Sequence, residues 1–395
     1  MEDCRIGLQT LDKMVILEIL RFLPPKEYGN IAMVNSYLHE CCKSDYLFKD
    51  VCNYLFPSVS GSFFSEFQAR FTQFARISNS FVKILSFLKA NRADQLYNGL
   101  KSTSNPKLYS LLNHYRCERS PRQLSRKSSF FEVPKNCVSE ELYWAYLLYN
   151  GQGVNYPGLF GSYEFYDVYV SLSFLSKDQV PDPRVISTSG EGRNRLIIFT
   201  DTENRFKNGH NSIYCTTGLQ NKVLYLASSF TEYLESYASK LLANKLRIDD
   251  GKILLYETNE YSSVNSENGI KITATALFIP HLSEERRYLW SYMITIEKDN
   301  PEKSWKLTTR TWRIEDSSGE VQTVHRQPGV IGLYPDVHEL SEEFQYTSCC
   351  YLKTVSGRMS GFLTFRDVDS SQEIDVQIPA FRLEIPIGSR LINAS

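Results

Sequence analysis

Residues 8–52 read LQTLDKMVILEILRFLPPKEYGNIAMVNSYLHECCKSDYLFKDVC. Val15, Ile16, Leu17, Ile19, Leu20, Phe22 and Leu23 run almost without a break, so the first helix of this stretch is apolar nearly all round. A surface helix confines its apolar residues to one stripe at i, i+3, i+4 and i+7, whereas an all-round pattern needs cover on every side. A unit of ~40 residues cannot easily supply that cover without disulfides, metal or a partner. The pattern therefore predicts a docking element. The punctuation sets three short helices. Thr10 is placed to cap the first through its hydroxyl. Pro24 and Pro25 end it, and Pro25 suits the start of the second, KEYGNIAMVNSYLHECC. Ser44 or Asp45 caps a third, YLFKDVCNYLF.

These residues resemble an F-box. That family's pattern is an LPxELLxxIL helix, a DPxD-like link, a second helix with Val and a bulky residue four further on, and a terminal LW–C element. It is met at Leu11, at Val15-Ile16-Leu17-Glu18-Ile19-Leu20, at Phe22-Leu23, at Pro25-Lys26-Glu27, at Val34 with Leu38, and at Leu47-Phe48 with Cys52. Asp12 stands where the family has Pro, and Leu38 where it has Trp. The resemblance implies that Leu11, Ile16, Leu17, Leu20, Leu23, Pro25, Val34 and Leu38 bind a Skp-type adaptor and, through it, a cullin. The bland alternative is an ordinary N-terminal helical subdomain.

With 395 residues the chain is long enough for two or three domains. The 44 basic residues balance 45 acidic ones, which disfavours a dedicated nucleic-acid binder. No basic segment followed by an apolar one opens the sequence, so no signal peptide is expected. No run approaches 18 apolar residues, so no membrane span is expected either. Nine cysteines, scattered and without CxxC, fit reduced thiols in cytosol or nucleus.

Helical spacing continues over 53–113. The run 116–129, RCERSPRQLSRKSS, lacks apolar periodicity and reads as a solvated loop; a phosphoserine site near Ser125 or Ser128 is the sharper alternative. SEELYWAYLLYNGQG reads as a capped helix stopping at Asn150-Gly151. Strand-like VISTSG, RLIIFTD, SIYCTT and KVLYLASS follow, closed by the helix FTEYLESYASKLLANK. Strands between two helices indicate α/β or α+β. This central region resembles the SUKH superfamily, through Glu140-Glu141-Leu142, Tyr149-Asn150-Gly151-Gln152, Pro157-Gly158-Leu159-Phe160-Gly161-Ser162 and Ser229-Phe230-Thr231-Glu232-Tyr233-Leu234. Val138-Ser139 replaces the family's LP.

From Gly269 the texture is all strand. Tyr288, Trp290, Tyr292, Ile294 and Ile296 alternate with the residues between them, which predicts a half-buried strand. Ile270, Ile272, Ala274 and Ala276 alternate likewise, as do Ile374, Val376 and Ile378. Turn clusters DNPEK, EDSSGE and VDSSQE separate the runs and imply an antiparallel sandwich. ITATALFIP, YLWSYMITIE, Trp312-Arg313-Ile314, PGVIGLYP, FQYTSCC and SGRMSGFLTF strongly resemble the ApaG domain, an immunoglobulin-like or fibronectin-like sandwich. The expected division is an F-box over 5–55, a helical segment and basic linker over 56–129, a SUKH-like α/β domain over 130–246 and an all-β ApaG domain over 262–388. In this order the three resemble the F-box only protein three type of family, whose members end in an acidic tail where this sequence reads LEIPIGSRLINAS.

Catalytic chemistry finds little support. Gln327-Pro328-Gly329-Val330-Ile331-Gly332 lacks the first glycine of a dinucleotide fingerprint and has no following helix pattern, so it reads as an inter-strand loop. Cys349 and Cys350 share their region with His325 and His338, yet packed strand cysteines are the simpler reading. Histidine spacing gives no metal site, and no cofactor is implied. The resemblance implies a non-catalytic substrate receptor of a Skp-cullin-F-box ubiquitin ligase, recruiting protein clients for degradation. Phe160 and Tyr334, as loop aromatics, are the candidate client anchors. The alternatives are a ligand-sensing or enzymatic sandwich and a scaffold without ubiquitin function.

Overall fold

The computed structural model describes residues 11–21, 28–56, 59–102, 139–153, 155–166, 168–176, 179, 182, 184–189, 195–298, 305–330, 333 and 343–393. Two compact units are formed. Of the described residues, the first draws on those up to 82, on 100–102, 139–151 and 176; the second takes 83–99 and the described residues of 152–175 and from 179 onward. The basic run 116–129, with Ser125 and Ser128, lies outside the described residues.

In the first unit, helix α1 (Lys13–Arg21) starts on Asp12. The Asp12 carboxylate accepts from the Met14 N–H at 2.7 Å, and its carbonyl accepts from Ile16 at 3.1 Å. The cap is therefore Asp12, the residue standing in place of the family's proline; Thr10 lies outside the described residues. The expected second helix is two, α2 (Tyr28–Ala32) and α3 (Ser36–Cys42). Asn35 breaks it: its backbone is extended and its side chain accepts from the Leu38 N–H at 2.8 Å, so it caps a new helix. Helix α4 (Asp45–Leu55) follows Ser44. The Tyr28 hydroxyl donates to the Leu20 carbonyl at 3.0 Å, satisfying one of the free carbonyls at the end of α1.

Helix α5 (Phe63–Ala90), helix α6 (Asp94–Gly99) and strand β1 (Leu100–Ser102) come next. Helix α7 (Glu140–Leu148) is capped by Ser139, which accepts from the Leu142 N–H at 3.3 Å. It ends two residues before Asn150, because the backbone turns extended at Tyr149 into strand β2 (Tyr149–Gln152), paired with β1. The expected division gave α7 to the central domain, but it packs in the first unit. Every residue from Glu141 to Leu148 is buried, as an all-round apolar helix requires. The Trp144 indole N–H donates to the Leu55 carbonyl at 2.8 Å, and its ring meets Phe56 and Phe74 edge-on.

The second unit contains strands β3 (Ser162–Phe165), β4 (Val168–Ser171), β5 (Val185–Ser189), β6 (Leu196–Asp201), β7 (Ser212–Thr216) and β8 (Lys222–Ala227). Helix α8 (Phe230–Leu242) starts on Ser229, which accepts from the Glu232 N–H at 3.1 Å while the Glu232 carboxylate reaches back to the Ser228 N–H at 2.9 Å. Strands β9 (Arg247–Asp249) and β10 (Lys252–Leu254) join β3 and β4 in one small sheet. The larger sheet runs β5-β6-β7-β8 and gains a fifth strand from the far end of the sequence. That strand, β19 (Arg390–Asn393), lies antiparallel to β8, Leu391 opposite Leu224. All its pairings are antiparallel, so the region is α+β rather than α/β.

Between β10 and β19 stand two four-stranded antiparallel sheets. One is formed by β11 (Ser263–Glu267), β12 (Ile270–Phe278), β13 (Tyr288–Lys298) and β16 (Glu343–Leu352). The other holds β14 (Trp305–Asp316), β15 (Val321–Pro328), β17 (Gly357–Asp367) and β18 (Glu373–Leu383). Tyr292, Trp312 and Phe381 meet between the sheets. β13 departs from expectation: all nine residues from Tyr288 to Ile296 are buried, not alternate ones. Its outward residues are covered by the β9–β10 region. The Tyr256 hydroxyl lies 2.7 Å from the Ser291 hydroxyl, Arg247 donates to Thr295 at 3.4 Å, and Arg247 pairs with Glu343.

A one-turn helix, Pro280–Leu282, connects β12 to β13, and the Pro280 carbonyl accepts from the Gly218 N–H at 2.9 Å. A Cβ at Gly218 would meet the Ser283 carbonyl at 2.5 Å, so only glycine fits this approach. His281 is buried there, both ring nitrogens 3.3 Å from the Tyr163 hydroxyl. Burial lowers its pKa to about 4. The folded state thus binds a proton less readily than the unfolded state; stability is lost as pH falls below about 6.5, and the loss is complete below about 4. Melts of His281→Asn and wild type across pH 7.5 to 4 should show the wild type losing about 3 kcal/mol more than the variant over that range. Deleting 384–393 should lower the melting temperature of the second unit by about 5–10 °C, because it strips β8 of a ladder partner. Scanning calorimetry checks this.

Candidate interaction surfaces

Helix α1 has two apolar stripes. Ile16, Leu17 and Leu20 turn inward and are buried with Leu38, Tyr28 and Phe48. Met14, Val15 and Ile19 turn outward and are exposed. In the break before Asn35, Met33 is 79% exposed and Val34 68%. Of the residues expected to touch an adaptor, Ile16, Leu17, Leu20 and Leu38 therefore form this unit's own core. Leu11 is half-buried, its carbonyl accepting from the Tyr37 hydroxyl at 3.0 Å. Val34 is on the surface; Leu23 and Pro25 lie outside the described residues. Met14, Val15, Ile19 and Met33 are surface residues missing from that set. The i, i+4 pairing of Val15 with Ile19, one step out of phase with Ile16 and Leu20, was the available sign of a second stripe.

Arg21 donates to Asp50 at 2.7 Å and also approaches Tyr46. Such an exposed ion pair adds little stability. The physical character of this face is hydrocarbon exposed to water, which marks interaction sites when it is contiguous.

The candidate client residues fare differently. Phe160 is only 1% exposed. It packs edge-on against Phe174, Tyr233 and Tyr237, so it does not present a surface anchor. Its loop is folded inward by a hydrogen-bonded knot around buried Gln152. The Gln152 carbonyl oxygen of the side chain accepts from the Leu159 N–H at 2.7 Å and the Phe174 N–H at 3.0 Å, and its amide donates to the Pro157 carbonyl at 3.0 Å. Gly158 admits the chain of Leu172, whose backbone would lie 2.4 Å from a Cβ, and Gly161 holds φ of +92°. The PGLFGS motif is thus explained by packing. Tyr334 lies outside the described residues.

The glycine run near Gly329 offers no phosphate cradle from its first amides. Gly329 N–H donates to the Thr308 carbonyl at 2.8 Å and Val330 N–H to the Leu333 carbonyl at 2.8 Å. Arg310 holds the Pro328 carbonyl at 3.1 Å. These bonds make it an inter-strand connection; a pyrophosphate needs free N–H groups at a helix start. Burial pushes the Cys349 thiol up and the Cys350 thiol to about 12, the opposite of what a nucleophile needs. His325 is exposed on β15, and His338 lies outside the described residues. Among the described residues no group of three or more His, Cys, Asp or Glu side chains is placed to hold a metal ion. None of the described helices is long and apolar enough to cross a membrane.

Comparison with known proteins agrees with this layout. Residues 15–50, spanning α1 to α4, match the F-box domain, and residues 280–367, from the one-turn helix through β17, match the ApaG domain. F-box only protein 3 of Rattus norvegicus is 25% identical over 425 residues, covering 97% of this chain and 83% of its own length. This chain carries the F-box and ApaG domains and is similar to F-box only protein 3 along nearly its whole length. The Bos taurus member is 27% identical over 271 residues, which cover 61% of this chain and 55% of the bovine protein, so that match spans about half of the relative. Protein ApaG of Brucella abortus is 38% identical over 135 residues, 34% of this chain and 99% of its own length. The ApaG sandwich is accordingly the part of this F-box only protein 3 relative that also exists as a separate bacterial chain.

Truncating Phe160 should cost about 3–5 kcal/mol, since the three rings around it leave a cavity that cannot collapse. Urea unfolding of Phe160→Ala measures it; a surface anchor would lose almost nothing.

Proposed function

We propose that this chain is the substrate receptor of a Skp-cullin-F-box ubiquitin ligase, in cytosol or nucleus. The observation that carries the proposal is the exposed hydrocarbon of Met14, Val15 and Ile19 on α1 and of Met33 and Val34 in the break after α2, all within or next to the stretch that matches the F-box domain. An adaptor of the Skp type covers that hydrocarbon and links the chain to a cullin. The inner stripe, Ile16, Leu17, Leu20 and Leu38, acts through shape: it holds α1 against α3 and leaves the outer stripe facing water. The second unit, a SUKH-like segment built around the Gln152 knot and joined to the ApaG sandwich, holds protein clients. Ubiquitination then gains from proximity, because tethering raises the effective concentration of the client's lysines. No side chain of this chain takes part in bond making.

The face is tested with charge. Ile19→Asp and Val34→Asp each place an unpaired carboxylate in a dry interface, at a cost of at least several kcal/mol. Co-expressed with a Skp-type adaptor, both variants should keep wild-type helicity by circular dichroism and lose more than nine-tenths of the co-purified adaptor. Leu20→Asp should instead unfold the helical unit. Wild-type adaptor recovery with both surface variants would overturn the assignment.

A further inference from the structure

We infer that the second unit binds a small neutral molecule, mostly hydrocarbon and bearing one hydrogen-bond acceptor, in an open-mouthed cavity lined by α8, the β6–β8 sheet and the end of β12. The inference does not depend on the ligase assignment.

The cavity measures about 230 Å³. A cavity of ~150 Å³ lined by Leu, Ile and Phe takes up benzene, so this one has room for a bicyclic ring or an acyl chain of roughly ten carbons. Its back wall is Leu196 and Ile198 of β6, Cys215 of β7 and Leu224 of β8; Ala276 and Phe278 of β12 face them. Hydrocarbon walls of this kind select apolar ligands.

Four tyrosines are among its lining residues, with Tyr261 lying under Arg382 at the mouth. The Tyr163 hydroxyl sits against His281, and the Tyr237 hydroxyl donates to the Leu159 carbonyl at 2.6 Å. Tyr233 is fixed by its ring, 5.5 Å from Phe160 and 6.4 Å from Phe230, yet its hydroxyl has no hydrogen-bond partner among the described residues. Burial pushes its pKa up, so it stays a neutral donor. Tyr233 lines the cavity, and a ligand carbonyl, ester or ether oxygen can accept from its hydroxyl.

The mouth sets the charge. Lys240 pairs with Glu257 at 2.6 Å, and Arg382 lies 3.9 Å from Glu384 and over the Tyr261 ring. Two cations meet two anions, so neither an acid nor an amine gains a free counter-ion. The chain between β18 and β19 completes the rim with Glu384, Pro386 and Ser389. A ligand seated here contacts that segment and through it β19.

The test uses the full chain and three probes: 2-acetylnaphthalene, naphthalene and 2-naphthoate. By calorimetric titration, 2-acetylnaphthalene should bind one to one. Tyr233→Phe should weaken the ketone about three- to tenfold and leave naphthalene unchanged. Ser236→Trp, a change at an exposed position on α8 that lines the mouth, should abolish binding of both. Amide exchange should slow in α8 and in 390–393 when the ketone is present. No saturable binding up to the solubility limit of the ketone overturns the inference. So does equal affinity in Ser236→Trp, an equal loss for both ring compounds in Tyr233→Phe, tighter binding of 2-naphthoate than of the ketone, or exchange protection confined to the helices of the first unit.

Discussion

Leu289, Ser291, Met293 and Thr295 point away from the core of the ApaG sandwich and still lie out of reach of water. Most antiparallel sheets leave such a face wet, with polar residues outward. Here two of the four carry hydroxyls, and a buried hydroxyl without a partner is expensive. Tyr256 and Arg247 supply those partners from the region of β9 and β10. Everything else in the second unit follows from keeping that cover in place. The one-turn helix at Pro280 is hydrogen-bonded to Gly218, His281 is sealed against Tyr163, and β19 is stitched to β8. Sandwich and central sheet therefore share one packed interior although the sequence writes them one after the other.

Much of this was legible in advance. The helices of the F-box, the capped α7 and α8, and the strands of the sandwich announce themselves through local rules: caps, period two, and turn clusters. What local rules do not carry is the identity of the neighbour. Alternation along β13 tells that its two faces differ, not that both are buried. Asn35 reads as one polar residue among many in KEYGNIAMVNSYLHECC, yet its side-chain bond to Leu38 divides that helix in two. α7 is apolar all round, which requires burial, but only the fold says that Leu55, Phe56 and Phe74 provide it.

The candidate sites show the same limit more sharply. A helix that is apolar on all sides has an inner and an outer half, and composition treats both alike. The family resemblance points to a set of mostly aliphatic residues, and most of those described turn inward; the exposed hydrocarbon belongs to Met14, Val15, Ile19, Met33 and Val34. Phe160 looked like a loop aromatic because glycines flank it. Those glycines exist because Leu172 crosses within touching distance and the chain must turn at positive φ, which drives Phe160 into the interior.

The pairing of β19 with β8 has a bearing on how the protein is made. β8 leaves the ribosome long before β19, with the whole sandwich synthesised between them. During that interval one edge of the five-stranded sheet has its N–H and C=O groups unmatched, and such an edge recruits any extended chain that comes near. Contacts this distant in sequence also form slowly. A nascent chain stalled within the sandwich would thus display a complete-looking central domain with an open side, a form that chaperones and proteases read as unfinished.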